Sequence, residues 1–199
     1  MDTANNTVTK LACAAFPTRF GDFVIYAFQD YTGKEHIALV RGEVSGKEGV
    51  PVRIHSECLT GDCLGSLRCD CRDQLEYSLK YLGQKEYGIL LYMRQEGRGI
   101  GLGNKIKAYH LQDNGMDTVE ANIHLGFDED LRDYSTAAHI LQVFNVKSVA
   151  LLTNNPAKVQ DLKENGITIT KRIPVVVKPN KYNTAYLKTK KKKMNHLIE

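Results

Sequence analysis

The run Gly88-Ile89-Leu90-Leu91-Tyr92-Met93 constrains this chain most, because it is continuously apolar and opens directly into a polar, glycine-rich segment. A strand written that way is buried on both faces. Around it, strand-like and helix-like stretches alternate, which gives a mixed α/β (α+β) layout: a mixed sheet flanked by helices, with a smaller β portion at the N-terminus. Asp22–Tyr26 and Ile37–Val40 predict two strands of a hairpin or meander, joined by a turn through Tyr31–Lys34. Val50–Ile54 predicts a third strand, after which a cysteine-rich segment leads into a helix near Asp73–Leu82 with Leu75, Leu79 and Leu82 as its apolar stripe. Helices are expected over Asn104–Asp113, Ser135–Phe144 and Pro156–Asn165, and strands over Val149–Thr153, Ile167–Thr170 and Pro174–Val177. Asn155-Pro156 is a helix start and Gly166 a stop. The last fifteen residues read as a helix ending in a lysine-rich tail over 188–199.

Composition narrows the class. With 199 residues, 42% hydrophobic and 25% charged, the chain has the make-up of one globular domain over 1–199. The formal charge of +4 rests on Lys188 and Lys190–Lys193; without them the body is roughly neutral, which is weak support for nucleic-acid binding. No apolar run approaches membrane-spanning length, and Met1–Asn6 shows no targeting signal, so a cytoplasmic protein with no membrane partner is expected.

Four of the five cysteines, Cys58, Cys63, Cys69 and Cys71, crowd into one segment, which suits metal-bound thiols better than a disulfide framework. Cys58, Cys69 and Cys71 lie on a loop that a turn can fold around one zinc ion. Three protein ligands leave a position for water, which zinc acidifies for hydrolysis; with Cys63 as a fourth ligand the site would be closed and structural. Spacing alone leaves both arrangements open. Arg68, Asp70 and Arg72 give the segment a charged surround, and Cys13 stands alone.

Arg94–Gly103 lies between the buried strand and a helix, where α/β proteins commonly bind ligands, and its glycines permit close approach of backbone N–H groups to an anion. It matches neither the Walker pattern nor Gly-x-Gly-x-x-Gly. Further polar clusters sit at element ends: Arg53 and His55-Ser56-Glu57; Asp128–Asp133 with Arg132; and Thr153–Lys158 at a helix start, where a phosphate could meet backbone N–H groups and Lys158.

In order, His-Ser-Glu-Cys-Leu-Thr-Gly-Asp, Ser-Leu-Arg-Cys-Asp-Cys, Arg-Gln-Glu-Gly-Arg-Gly-Ile-Gly-Leu, Asp-Thr-Val-Glu-Ala-Asn and Leu-Leu-Thr-Asn-Asn-Pro resemble GTP cyclohydrolase II, which opens riboflavin biosynthesis. The resemblance runs from about Phe16 to Leu197 and implies that family's fold. It implies one zinc per subunit on Cys58, Cys69 and Cys71, with Cys63 outside the set. It places GTP contacts on Arg53, Ile54, His55, Ser56, Glu57, Gln74, Glu96, Gly97, Arg98, Thr118, Thr153 and Lys158, with Mg²⁺ on the triphosphate. A proton acceptor falls on Asp130, a nucleophile toward the triphosphate on Arg132, and a residue completing deformylation on Tyr109. Arg132 is open to a second role as an electrostatic clamp, since a guanidinium stays protonated at neutral pH. Glu57 and Gln74 are both candidates for reading the guanine edge. A homodimer is implied, and the length suits the cyclohydrolase without a fused synthase. Two alternatives stand beside this reading: a relative of the same fold that retains the formyl group, and a zinc-stabilised nucleic-acid-binding module, which would need Cys63 as a ligand.

Overall fold

The computed structural model describes residues 8–128 and 130–184. The expected C-terminal helix and its lysine-rich tail lie outside the described residues, as does Glu129 of the acidic stretch. Seven strands are present among them: β1 (Thr9–Thr18), β2 (Gly21–Gln29), β3 (Glu35–Arg41), β4 (Val50–Ser56), β5 (Gly88–Met93), β6 (Val149–Leu152) and β7 (Ile169–Ile173). They make a single sheet in the order β1-β2-β3-β5-β4-β6-β7. The N-terminal β portion is the antiparallel β1–β2–β3 meander, which joins β5 antiparallel; β5, β4, β6 and β7 run parallel.

Helices are α1 (Leu59–Asp62), α2 (Cys71–Gly83), α3 (Gly101–Asp113), α4 (Thr118–His124), α5 (Ser135–Val143) and α6 (Pro156–Glu164). The apolar run of β5 explains where they go. Alternate residues of a strand face opposite sides: Ile89, Leu91 and Met93 enter a core with Ala137, Ile140 and Leu141 of α5 and Leu162 of α6. Leu90 faces the other way, into a cluster with Phe23, Leu39 and Leu82, against which Leu75 and Leu79 of α2 pack. Each fully buried leucine here contributes about 1.5–3 kcal/mol. The far end of α2 is fixed by a missing side chain, since a Cβ on Gly83 would lie 1.8 Å from the Phe20 carbonyl oxygen in the β1–β2 turn.

Several expectations are corrected. β1 was not anticipated; it lies at the sheet edge with nearly all of its residues exposed, so its sequence carries no burial alternation. α4 was not anticipated either, although Asp117 and Glu120 form a complete capping box at its start. The strand expected over Pro174–Val177 is absent: Asn154 takes both main-chain groups of Val175, accepting its N–H at 3.0 Å and donating to its carbonyl at 2.7 Å, in place of a neighbouring strand. β7 starts later than expected because the Ile167 N–H bonds back to Leu162 and closes α6.

Candidate active site and metal centre

The chain passes from β4 to β5 on one side of β4 and then to β6 on the other. The loops after these parallel strands therefore diverge and leave a crevice at their C-terminal ends. An open cleft lies there. It is lined from β4 by Arg53, His55, Ser56 and Glu57; from the segment after β5 by Glu96, Gly97 and Arg98; and from the end of β6 by Thr153, Asn154 and Asn155. The three cysteines, Gln74, Tyr109, Thr118, Arg132 and Lys158 line it too, as expected.

Two expected residues are placed otherwise. Ile54 is fully buried in the core, and its contribution to this region is a carbonyl that accepts from Lys158 Nζ at 2.8 Å. Asp130 stands behind Arg132 rather than on the cleft wall, accepting from Arg132 Nε at 2.7 Å and pairing with Nη2. Burial pulls the Asp130 carboxyl up, but these bonds and the Arg132 charge hold it below the usual carboxylate range.

At one end of the cleft the Sγ atoms of Cys58, Cys69 and Cys71 lie within 4.8 Å of one another, with Cys58 and Cys69 3.7 Å apart. Tetrahedral coordination with bonds of about 2.3 Å separates sulfurs by about 3.8 Å, so this set fits a zinc-sized ion. Cys63 is exposed and outside the cluster, which removes the fourth ligand that a closed site and the nucleic-acid module required. Gly61 makes the convergence possible: a Cβ there would stand 2.7 Å from Cys69 Sγ and 3.1 Å from both Cys58 Sγ and Cys71 Cβ. Hydrogen bonds from Cys69 and Cys71, helped by Lys105, hold the Cys58 thiol far below its ordinary pKa despite burial. The Cys69 thiol, hydrogen-bonded to Cys58, is pushed up to about 11, and that of Cys71 is raised for the same reason.

Asp62, itself buried, organises this end. It accepts from His55 Nε2 at 3.0 Å, from Tyr92 Oη at 2.8 Å and from the Cys58 N–H at 3.0 Å. Burial pulls the His55 imidazole below its ordinary pKa, so it is neutral near pH 7. Arg53 donates to Gln74 Oε1 at 2.7 Å, and the Gln74 amide donates to Asp70, so both polar ends of Gln74 are engaged within the protein. Glu57 gives one oxygen to Arg94 Nε at 2.9 Å.

The glycine-rich segment makes a tight, non-helical turn over Glu96–Gly99 with Gly97 and Arg98 both at φ 63°, and α3 follows after Ile100. Arg98 is a non-glycine residue in the left-handed region, a conformation that the sequence did not suggest. Glu96 accepts from the Leu59 N–H at 2.6 Å and from Lys105 Nζ at 2.7 Å. Lys105 in turn donates to Cys58 Sγ at 3.1 Å. Burial works against the Lys105 charge, but Glu96 and Cys58 raise its pKa above the ordinary lysine value. Sequence reasoning missed Lys105, Gln112 and Asn122, all of which line the cleft. The signal was present for the first two: Lys105, Ala108, Tyr109 and Gln112 recur at the spacing of one helix face. The Tyr109 hydroxyl lies 3.2 Å from Thr60 Oγ1, and burial raises its pKa against the opposing effects of Thr60 and Lys105, so it keeps its proton near neutrality.

No helix among the described residues is long and apolar enough to cross a membrane. A family model described as GTP cyclohydrolase II matches residues 9–174. The GTP cyclohydrolase-2 of Picrophilus torridus is 58% identical over 185 residues, 93% of this chain and 96% of that protein. That of Buchnera aphidicola is 54% identical over 186 residues, covering 93% and 96%. The riboflavin biosynthesis protein RibBA of Endomicrobium trichonymphae is 53% identical over 193 residues, which is 96% of this chain and 48% of that one.

Proposed function

The chain belongs to the GTP cyclohydrolase II family, an enzyme of riboflavin biosynthesis, and from that membership we propose a division of labour within its cleft. The products are 2,5-diamino-6-(5-phosphoribosylamino)pyrimidin-4(3H)-one, formate and pyrophosphate. One zinc ion per subunit is held by Cys58, Cys69 and Cys71, and the subunits pair as a homodimer. When bound, the ion supplies Lewis acidity for hydrolysis at the guanine ring.

The residues of the chain do the rest. Tyr109, protonated and beside the thiols, donates from Oη to the oxygen that develops charge as the ring opens and formate leaves. Glu57 reads the guanine N1–H and exocyclic amine with its carboxylate, a task for which Gln74 is poorly placed because Arg53 and Asp70 occupy its amide. His55 and Arg53 orient neighbouring groups. Arg98, Arg132 and Lys158, with Mg²⁺, neutralise the triphosphate; Thr118, Thr153 and the N–H groups around Gly97 add hydrogen bonds. Asp130 is ionised and therefore in an accepting form, and its pairing with Arg132 favours the guanidinium as an electrostatic clamp over a covalent nucleophile.

The convergence of three thiols with protonated Tyr109 at one cleft carries this reading. Incubation of the zinc-loaded protein with GTP and Mg²⁺, following formate and pyrophosphate together, tests it. Both products are expected, with Cys63→Ser fully active. Pyrophosphate without formate would identify a formyl-retaining relative, and zinc loss in Cys63→Ser would overturn the three-cysteine site.

A further inference from the structure

His36, the second residue of β3, is buried and lies outside the cleft lining. Its imidazole nevertheless bridges two loops. Nε2 lies 3.1 Å from Asp30 Oδ2 in the β2–β3 turn, and Nδ1 accepts the main-chain N–H of Arg94 at 3.1 Å. Arg94 is the first residue after β5 and leads into the turn that carries Glu96, Gly97 and Arg98.

The partners fix the tautomer. Asp30 Oδ1 accepts three hydrogen bonds, from the Thr32 N–H, the Thr32 hydroxyl and the Lys34 N–H. Burial pulls this carboxyl up, but its hydrogen bonds outweigh burial and hold it below the usual range, so it is ionised and can only accept. Nε2 must therefore carry the proton, which leaves the Nδ1 lone pair for Arg94. The β3–β5 ladder ends at Ile37 and Tyr92, so the side chain of His36 supplies the next acceptor where a main-chain carbonyl would otherwise be needed. Two further bonds act on the same segment: Arg94 Nε donates to Glu57 and Gln95 Nε2 donates to Ser56 Oγ at 2.9 Å.

We propose that His36 is a positioning residue for the reaction, holding the Glu96–Gly99 turn in register with the cleft through the main chain of Arg94, with Asp30 setting its tautomer. The proposal rests on the reading of that turn as part of the GTP site.

Two substitutions separate its halves. His36→Gln keeps an N–H donor near the Nε2 position and loses the acceptor near Nδ1; His36→Asn does the reverse. In His36→Gln the KM for GTP rises about fivefold, the size of one lost hydrogen bond, with kcat changed less than about twofold. Hydrogen exchange in the nucleotide-free protein shows the Arg94 amide losing protection by a similar factor. His36→Asn restores both readouts. If His36→Asn behaves as badly as His36→Gln, the acceptor is irrelevant and the proposal is overturned. If His36→Gln does not fold, His36→Asn decides alone: wild-type KM and Arg94 protection uphold the proposal, and loss of either overturns it. Arg98→Ala, measured alongside, distinguishes the two readings. A raised KM there with an unchanged KM in His36→Gln overturns this proposal alone; an unchanged KM in both overturns the nucleotide reading of the turn and this proposal with it.

Discussion

At the thiol end of the cleft Cys58 is placed by main chain and by buried carboxyl chemistry, whereas at the cationic end Arg132 is paired with a carboxylate that is itself partly exposed. Cys58 is held through its N–H by Asp62, whose side chain is 2% exposed, and Gly61 shapes the space into which three sulfurs fit. Arg132 is paired with Asp130, and those two side chains are 14% and 27% exposed. The first arrangement tolerates almost no displacement, as a coordination sphere requires. The second can adjust to a flexible triphosphate and is open to screening by salt.

The sharpest way to break this contrast is to damage each end separately. Cys69→Ser removes one soft ligand, and metal affinity should fall at least about 100-fold, the upper range for losing even an outer-shell partner. Formate release should vanish with it while pyrophosphate release falls less; metal analysis and a two-product assay check this, and equal losses would make the two ends one unit. Arg132→Ala should do the opposite, lowering pyrophosphate release by about 10²-fold, comparable to removing one charge-stabilising donor, with metal content unchanged. Gly61→Ala is subtler. The chain still folds, but the sulfurs must spread, and metal affinity measured by chelator competition should drop about tenfold.

The smallest effect is on stability. The folded pKa of Asp130 lies below its unfolded value of about 3.9, so its pair with Arg132 contributes fully above that value and is lost as pH falls through the folded one. Asp130→Asn should therefore lower Tm by a constant few degrees between about pH 5 and 8, with the difference fading on acidification. About 1 M salt should shrink it as well, as expected for a partly exposed pair. Thermal melts of the two proteins across pH and salt give the answer.

The same contrast governs what could be read in the sequence. β5, β6, α5 and α6 were legible because burial imposes a pattern: continuous apolar runs, a Pro at a first helical position, a Gly past the end. The thiol end was legible for a related reason, since coordination demands particular residue types close together. β1 was illegible because both its faces are exposed, and Pro174–Val177 misled because an apolar run satisfies its main chain through a single Asn side chain. At the cationic end, residue types were visible but their couplings were not. Nothing local ties Lys105 to Cys58 or Gln74 to Arg53, and the engagement of Gln74 by Arg53 is what the proposal of Glu57 as base reader rests on. The role of Asp62 was missed for the same reason, because its partners come from β4 and β5 as well as its own loop.

α2 begins at Cys71 and ends at Gly83, where only a hydrogen fits against the Phe20 carbonyl. Thirteen helical residues make a stiff rod of about 20 Å, so one end of it carries a thiol of the cysteine cluster and the other is a backbone bearing. A side chain at Gly83 would press the rod off that bearing, and a stiff helix carries such a displacement toward the Cys71 thiol. The spacing of the three thiols thus depends on a residue that has no side chain and lies a helix length away from them.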